Sequence, residues 1–161
     1  MIEILQAETT EQIEETRKLF REYEKWLGLD LCFQGFEEEL RNLPAKYATP
    51  DGRLFLALVN GKTAGCIALR NLEQGICEMK RLYVRSEFRG LGLGKILIEK
   101  LIDEARVHGY EKMRLDTLPD QMAKAVKLYK SHGFVEISPY YENPHNETLF
   151  LELYLNGSFS K

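Results

Sequence analysis

Arg89-Gly90-Leu91-Gly92-Leu93-Gly94-Lys95 stands between a run of strand character and a run of helix character. Three alternate glycines let the backbone approach a ligand closely. The start of the helix behind them offers unpaired N–H groups and the positive end of its dipole. The combination predicts an anion cradle suited to phosphate. Two familiar cradles fail at named positions. A P-loop needs glycine where Arg89 stands and Ser or Thr where Ile96 stands. The dinucleotide-binding fingerprint needs its third glycine where Lys95 stands.

Outward from this loop the patterns alternate. Upstream, Arg53 to Val59, the hairpin signal Asn60-Gly61, Lys62 to Leu69, a turn ending at Gly75 and Ile76 to Val84 predict an antiparallel meander. Before it come a short strand at Ile2 and Ile4 and a helix opening at the capping-box pattern Thr9-x-x-Gln12, with Ile13, Phe20, Tyr23 and Leu27 at helical spacing. A shorter helix follows around Phe36 to Leu43, and Thr49-Pro50-Asp51-Gly52 reads as a turn. Downstream, Ile96, Leu97, Leu101, Ile102 and Ala105 form a helical stripe that stops at Gly109. Lys112 to Thr117 reads as a strand, Met122 to Ser131 as a helix, and Phe134 to Ile137 and Thr148 to Leu155 as strands. The strand-helix-strand unit from Ile76 to Thr117 requires a parallel crossover, whereas the hairpins before it require antiparallel pairs. The expected architecture is therefore α/β (α+β), a mixed sheet with helices on its faces, in one domain over residues 1–161.

The chain has 161 residues, 44% hydrophobic and 29% charged, which suits a single globular core and excludes whole-chain disorder or coiled coil. Apolar runs such as Leu54 to Val59 are too short to span a bilayer. Met1-Ile2-Glu3-Ile4 does not resemble a secretion signal, so the expected compartment is the cytoplasm, without a membrane partner. Cys32, Cys66 and Cys77 form no CxxC pair and no cluster with histidine, so reduced thiols and no metal are expected, with Cys32 as a small apolar residue. The net charge of −3 argues against nucleic acid as a partner. Its distribution is uneven: residues 1–51 carry 12 acidic against 6 basic side chains, and residues 78–100 carry 3 against 6. An anionic ligand is drawn to the middle of the chain and a cationic one to its first third. Glu37-Glu38-Glu39 reads as a solvated face.

Arg89-x-x-Gly92-x-Gly94, the strand before it, the helix after it and Leu128-Tyr129-Lys130-Ser131-His132-Gly133-Phe134 together resemble the GNAT superfamily of N-acetyltransferases. Glu78 to Val84 looks like the family's fourth strand, and the later segment matches its LYxxxGF pattern. With Leu115-Asp116-Thr117, Tyr140 to Pro144 and Phe150 to Leu153, the chain from about Phe20 onward is similar to small bacterial members without an assigned substrate. The resemblance implies a mostly antiparallel sheet of six to seven strands, splayed between the fourth and fifth, and a homodimer among its assemblies. It also implies transfer of acetyl from acetyl-CoA to a primary amine by direct attack in a ternary complex. A non-catalytic acyl-CoA sensor is the alternative.

By the same resemblance, the amides of Gly90, Leu91, Gly92, Leu93 and Gly94 hold the coenzyme A pyrophosphate, with Arg89 and Lys95 adding charge. The strand at Leu82, Tyr83 and Val84 would bind the pantetheine arm, with the Leu82 N–H polarising the thioester carbonyl. Asp116 and Thr117 would face it from the next strand, Thr117 toward the cofactor. Tyr129 corresponds to the tyrosine that protonates the departing thiolate, though its spacing also suits a core residue. Glu78 is expected as general base or amine anchor, sharing a strand face with Lys80 and Leu82 and having a raised pKa, unless it forms a structural ion pair with Arg81 or another cation. Met122 stands where many members carry asparagine. His108, His132 and His145 are weak candidates; the loop holding His145 with Tyr140 and Tyr141 could cover the acceptor site. That loop, Phe33, Gln34 and the acidic N-terminal region hint at a cationic acceptor, while a peptide N-terminus or a lysine fits as well.

Overall fold

A computed structural model describes residues 1–28, 31 and 35–155; Cys32, Phe33 and Gln34 therefore lie outside the described residues. Strand β1 (Ile2–Gln6) leads to helices α1 (Thr10–Leu27) and α2 (Phe36–Arg41). The meander β2 (Arg53–Val59), β3 (Lys62–Glu73) and β4 (Ile76–Val84) follows, then α3 (Leu93–His108), β5 (Lys112–Thr117), α4 (Ala123–Ser131), β6 (Val135–Ile137) and β7 (Leu149–Tyr154). The seven strands form one sheet in the order β1-β2-β3-β4-β5-β7-β6. Only the β4–β5 pair is parallel, as the crossover through α3 demands.

Local chemistry starts and stops these elements as the sequence predicts. Thr9 Oγ1 accepts from the Gln12 N–H at 3.1 Å, and Gln12 Oε1 accepts from the Thr9 N–H at 3.0 Å, closing the capping box of α1. Gly109 ends α3 with φ +102 and returns its N–H to the Ala105 and Arg106 carbonyls. The apolar stripe of α3, including Leu97, Ile98 and Leu101, packs on Ile67, Leu69, Cys77 and Met79 to form the core on one side of the sheet. On the other side Leu19, Phe20, Phe36 and Leu40 of α1 and α2 pack on Leu54, Leu56, Cys66 and Ala68. Among the described residues no helix is long and apolar enough to cross a membrane.

Two departures from regular pairing create the space for a site. Strands β4 and β5 pair only at Ile76–Lys112, Cys77–Met113 and Glu78–Arg114, and then part, leaving β5 paired to β7 alone as far as Thr117. This is the splay expected between the fourth and fifth strands. On its other edge β4 carries a bulge: Lys80 pairs with Ala68 and Tyr83 with Cys66, so two residues of β4 face Ile67 alone. Arg81 sits in the bulge at φ +62, a conformation a non-glycine residue adopts only when its surroundings hold it there.

The bulge corrects an expected alternation. Cys77, Met79 and Leu82 join the core under α3, while Arg81 and Tyr83 turn toward α1 and α2. Glu78 and Lys80 thus share a face, but Leu82 lies on the opposite one. A second correction concerns the acidic triple. Glu37 pairs with Arg21 at the surface, but Glu39 is buried and receives Arg81 Nε and Nη2 at 3.0 Å each, with the guanidinium 5.2 Å from the Phe36 ring centre.

Burial pushes the Glu39 carboxyl up, but Arg81 outweighs it and holds the pKa below the usual value. Its ionised form is therefore favoured by folding. This contribution is present above the unfolded carboxyl value, near pH 4.3, and is lost as pH falls through the lower folded value. Glu39→Gln strands the buried guanidinium and is expected to cost about 3 kcal/mol in urea unfolding at pH 7, a difference that narrows in unfolding series carried below about pH 4.

Candidate active site

The loop predicted as an anion cradle joins β4 to α3, with Gly90 at φ +90 and Gly92 at φ +79. A Cβ on either would meet nothing within 4 Å, so glycine is needed here for conformation, and the space beside it stays open. Gly92 caps α3 without a side-chain bond, and its carbonyl accepts from the Ile96 N–H at 3.1 Å. The N–H groups of the first turn, at Leu93, Gly94 and Lys95, precede the helical ladder and can serve a ligand. Arg89 folds back: its Nε donates to the Val84 carbonyl at 2.9 Å, and its guanidinium lies 5.0 Å from the Trp26 ring centre and 5.9 Å from that of Tyr83. Loop, Leu82, Tyr83, Val84, Trp26 and the first turns of α3 and α4 enclose an open groove of about 680 Å³.

A narrower cavity of about 50 Å³ lies inside the split and shares Leu82 and Met122 with the groove as lining residues. Lys80, Asp116, Thr117, Tyr129, His145 and Thr148 also face this cavity. The Tyr129 ring packs edge-on against Phe134, three residues beyond the end of α4. Burial raises its phenol pKa, with Tyr23 and Asp116 adding to the effect, so it stays protonated as a proton donor must. The hydroxyls of Thr117 and Thr148 are buried without a protein partner. Orphaned polar atoms cost stability in a closed core; lining a cavity, they are placed for a ligand.

Segment 138–148 roofs the cavity and hangs from the strands by two tyrosines. Tyr140 Oη donates to Glu78 Oε2 at 2.7 Å, and Tyr141 Oη donates to Asp116 Oδ2. Asn143 Nδ2 donates to Tyr141 Oη at 2.8 Å, and the His145 N–H to Asn143 Oδ1 at 2.8 Å. The tyrosine rings pack edge-on against Phe150.

Glu78 does not have the raised pKa expected of a base. Burial pushes it up, but Lys80, Arg70 and the Tyr140 hydroxyl together hold it below the usual value. Arg70 Nε donates to Glu78 Oε1 at 2.8 Å, and Lys80 Nζ lies 3.9 Å from the same atom. Glu78 is absent from the cavity lining; the carboxylate facing it there is that of Asp116. Of the other sequence candidates, Leu82, Thr117 and Tyr129 reach the cavity, and Tyr83, Val84, Arg89 and Lys95 line the groove. Sequence reading singled out neither Lys80 nor Thr148, because a lysine in a strand and a threonine before one carry no motif.

The sequence matches the family model described as "Acetyltransferase (GNAT) family" over residues 9–134. An uncharacterised N-acetyltransferase of Schizosaccharomyces pombe is 40% identical over 154 residues, covering 94% of each chain. A GNAT-family acetyltransferase structure from Staphylococcus aureus Mu50 superposes with a TM-score of 0.79 at 23% identity, covering 96% of this chain and 99% of the other. The PaiA N-acetyltransferase of Thermoplasma acidophilum, solved in complex with coenzyme A, superposes with a TM-score of 0.72 at 20% identity, covering 96% and 99%.

Glu78→Gln tests the ion-pair role directly. It is expected to cost about 2 kcal/mol in thermal or urea unfolding through the weakened Arg70 bond. The pH–rate profile for acetyl transfer should keep the parent's shape, because no titrating base has been removed. The split strands, the phosphate-type loop and the match across most of the chain together place this protein in the GNAT family of acetyltransferases.

Proposed function

We propose that the protein transfers acetyl from acetyl-CoA to a primary amine by direct attack within a ternary complex. The observation that carries this reading is that the loop groove and the cavity in the split share Leu82 and Met122 as walls, with Tyr129 and two unpartnered threonine hydroxyls on the cavity side. The coenzyme A bound to the Thermoplasma relative supports the same occupant here.

The residues present fit that occupant. The N–H groups at the start of α3 and the left-handed turns at Gly90 and Gly92 suit a pyrophosphate. Lys95 and Arg89 both line the groove and supply charge, and Arg89 frees its Nε for a pyrophosphate by leaving the Val84 carbonyl. That carbonyl and the unpaired edge of β4 then become available to the amides of the pantetheine arm. The thioester supplies an acyl group already activated for attack by an amine. The Leu82 N–H polarises its carbonyl, a bond that strengthens as charge develops on oxygen.

An alkyl amine with a pKa near 10.4 is mostly protonated at pH 7. Asp116, the cavity carboxylate, receives the ammonium on the side of the split remote from α3, and Glu78 holds the roof through Tyr140 without touching the acceptor. The ammonium gives one proton to solvent and the neutral amine attacks the thioester carbon; the C–S bond breaks as Tyr129 donates its proton to the departing sulfur, and the second proton lost from nitrogen returns to Tyr129 through water.

Calorimetry with coenzyme A should show that Gly92→Glu loses binding, since a charged side chain enters the cradle from a backbone conformation that disfavours it. Tyr129→Phe keeps the ring against Phe134 and removes only the hydroxyl. Turnover is expected to fall by about 10²-fold, about 2.7 kcal/mol, with little change in the KM for acetyl-CoA and a parental melt. Parental turnover in that variant would return Tyr129 to a packing role.

A further inference from the structure

Met122 opens α4 without capping it. It stands just before Ala123, at φ −115 and ψ 31, and its side chain makes no bond to the helix. A serine, threonine or asparagine there would accept from an N–H of the first turn, whereas a thioether is a poor acceptor. The backbone is held all the same. The Met122 N–H donates to the Leu118 carbonyl at 2.8 Å, and its own carbonyl accepts from the Val126 N–H at 2.9 Å. With the cap forgone, the side chain turns inward. It is 8% exposed and belongs to the apolar cluster that includes Leu27, Leu31 and Leu118.

Its position gives that burial a use. Among the described residues, Leu82 and Met122 alone line both the loop groove and the cavity in the split. On the acetyl-transfer reading, the Leu82 N–H marks the thioester carbonyl. The sulfur and the pantetheine arm then lie on the groove side, and the acyl chain extends past Met122 into the cavity. Met79, Leu82, Leu115 and Leu118 stand there with Met122. At about 12 Å³ per water-sized sphere, the cavity's 50 Å³ holds about four such spheres.

The attacking amine needs the same room, because it must reach the carbon that carries the acyl chain. An acetyl group places one carbon beyond its carbonyl, and a butyryl group places three. A butyryl chain and an amine therefore compete for the space. Leu82 does not yield, since it lies on β4 in the core beneath α3. Met122 belongs to the connection before α4, and its long unbranched side chain sets where the space ends. Rotating away would drive it into the cluster it already fills. Burial of added methylenes would by itself favour the longer donor, so discrimination against that donor is a steric signature.

We infer that Met122 sets the acyl length this enzyme transfers, admitting acetyl and propionyl and excluding butyryl and longer chains; this rests on the acetyl-transfer reading above. The chemistry is the same at every length. A C–N bond forms, the C–S bond breaks, coenzyme A leaves as its thiol, and the excess proton of the ammonium goes to solvent. A difference in rate between donors therefore reports space.

The test follows coenzyme A release from acetyl-, propionyl- and butyryl-CoA with a panel of primary amines: the twenty standard L-amino acids, ethanolamine, spermidine, and a tetrapeptide bearing a free N-terminus and a lysine. With the amine acetylated fastest, kcat/KM for acetyl-CoA should exceed that for butyryl-CoA about tenfold or more, with propionyl-CoA closer to acetyl-CoA. Met122→Ala and Met122→Ser should each narrow the acetyl-to-butyryl ratio about fivefold or more. Serine can also cap α4, which supports the fold where alanine leaves a void. Met122→Leu, similar in volume, should keep the parental ratio. A methionine that only packs would affect both donors alike and leave the ratio unmoved. Butyryl-CoA used by the parent as well as acetyl-CoA overturns the inference while leaving amine acetylation standing, as does an unchanged ratio in a folded alanine or serine variant. No acetylation of any of these amines by protein that binds acetyl-CoA in calorimetry overturns both readings.

Discussion

A guanidinium without water needs an anion in fixed geometry, and Arg81 obtains one only because α2 brings Glu39 against the bulge of β4. The ion pair spans 42 residues of sequence and ties the short second helix to the central strand. It also holds Arg81 at φ +62, against the preference of a side chain with a Cβ. A bulge bends its strand and increases the local twist. Here it lies just past the last β4–β5 pair, Glu78–Arg114, and the strands stay apart from there to Thr117. The opening in the sheet, and with it the cavity, begins beside that buried pair.

The two sides of the opening differ in chemistry because the bulge shifts the alternation by one residue. Beneath α3 and α4 the groove joins an apolar wall that includes Leu82, Val84, Leu93 and Leu128 to backbone amides and the side chains of Arg89 and Lys95, which suits a ligand with an anionic end and a long uncharged arm. Beneath α1 and α2 the wall is a set of charges on β3, β4, β5 and β7, three of them paired by arginine. On the acetyl-transfer reading, a donor in the groove and an acceptor in the cavity would meet in the split, as direct transfer needs.

Much of this was legible in the sequence. The capping box at Thr9, the Asn60-Gly61 turn, the glycine loop and the α3 stripe each use local chemistry that no tertiary contact had to override. The parallel crossover followed from connection length alone. The bulge was not legible, since arginine carries no signal for a left-handed backbone, and its consequence for Leu82 was missed with it. The direction of the Glu78 pKa shift was not legible for a related reason. Period-2 reasoning finds the face a carboxylate occupies, but Arg70 and Tyr140 reach it from 8 and 62 residues away, and only the fold brings them there. Glu39 was likewise hidden among its neighbours, since one of three adjacent glutamates turning inward cannot be told from composition.

Segment 138–148 meets the strands through the phenols of Tyr140 and Tyr141 and the stacking of their rings on Phe150, while the glycine loop and Tyr129 belong to other elements. Among the described residues, the roof and the loop groove share no anchoring residue. Substitutions at Asn143, His145 or Thr148 can therefore reshape what the cavity admits while the glycine-loop groove stays as it is. Such an arrangement lets acceptor preference drift between descendants of one gene without passing through forms that have lost the donor, and it makes this roof the natural place to vary when a new amine is to be selected for in the laboratory.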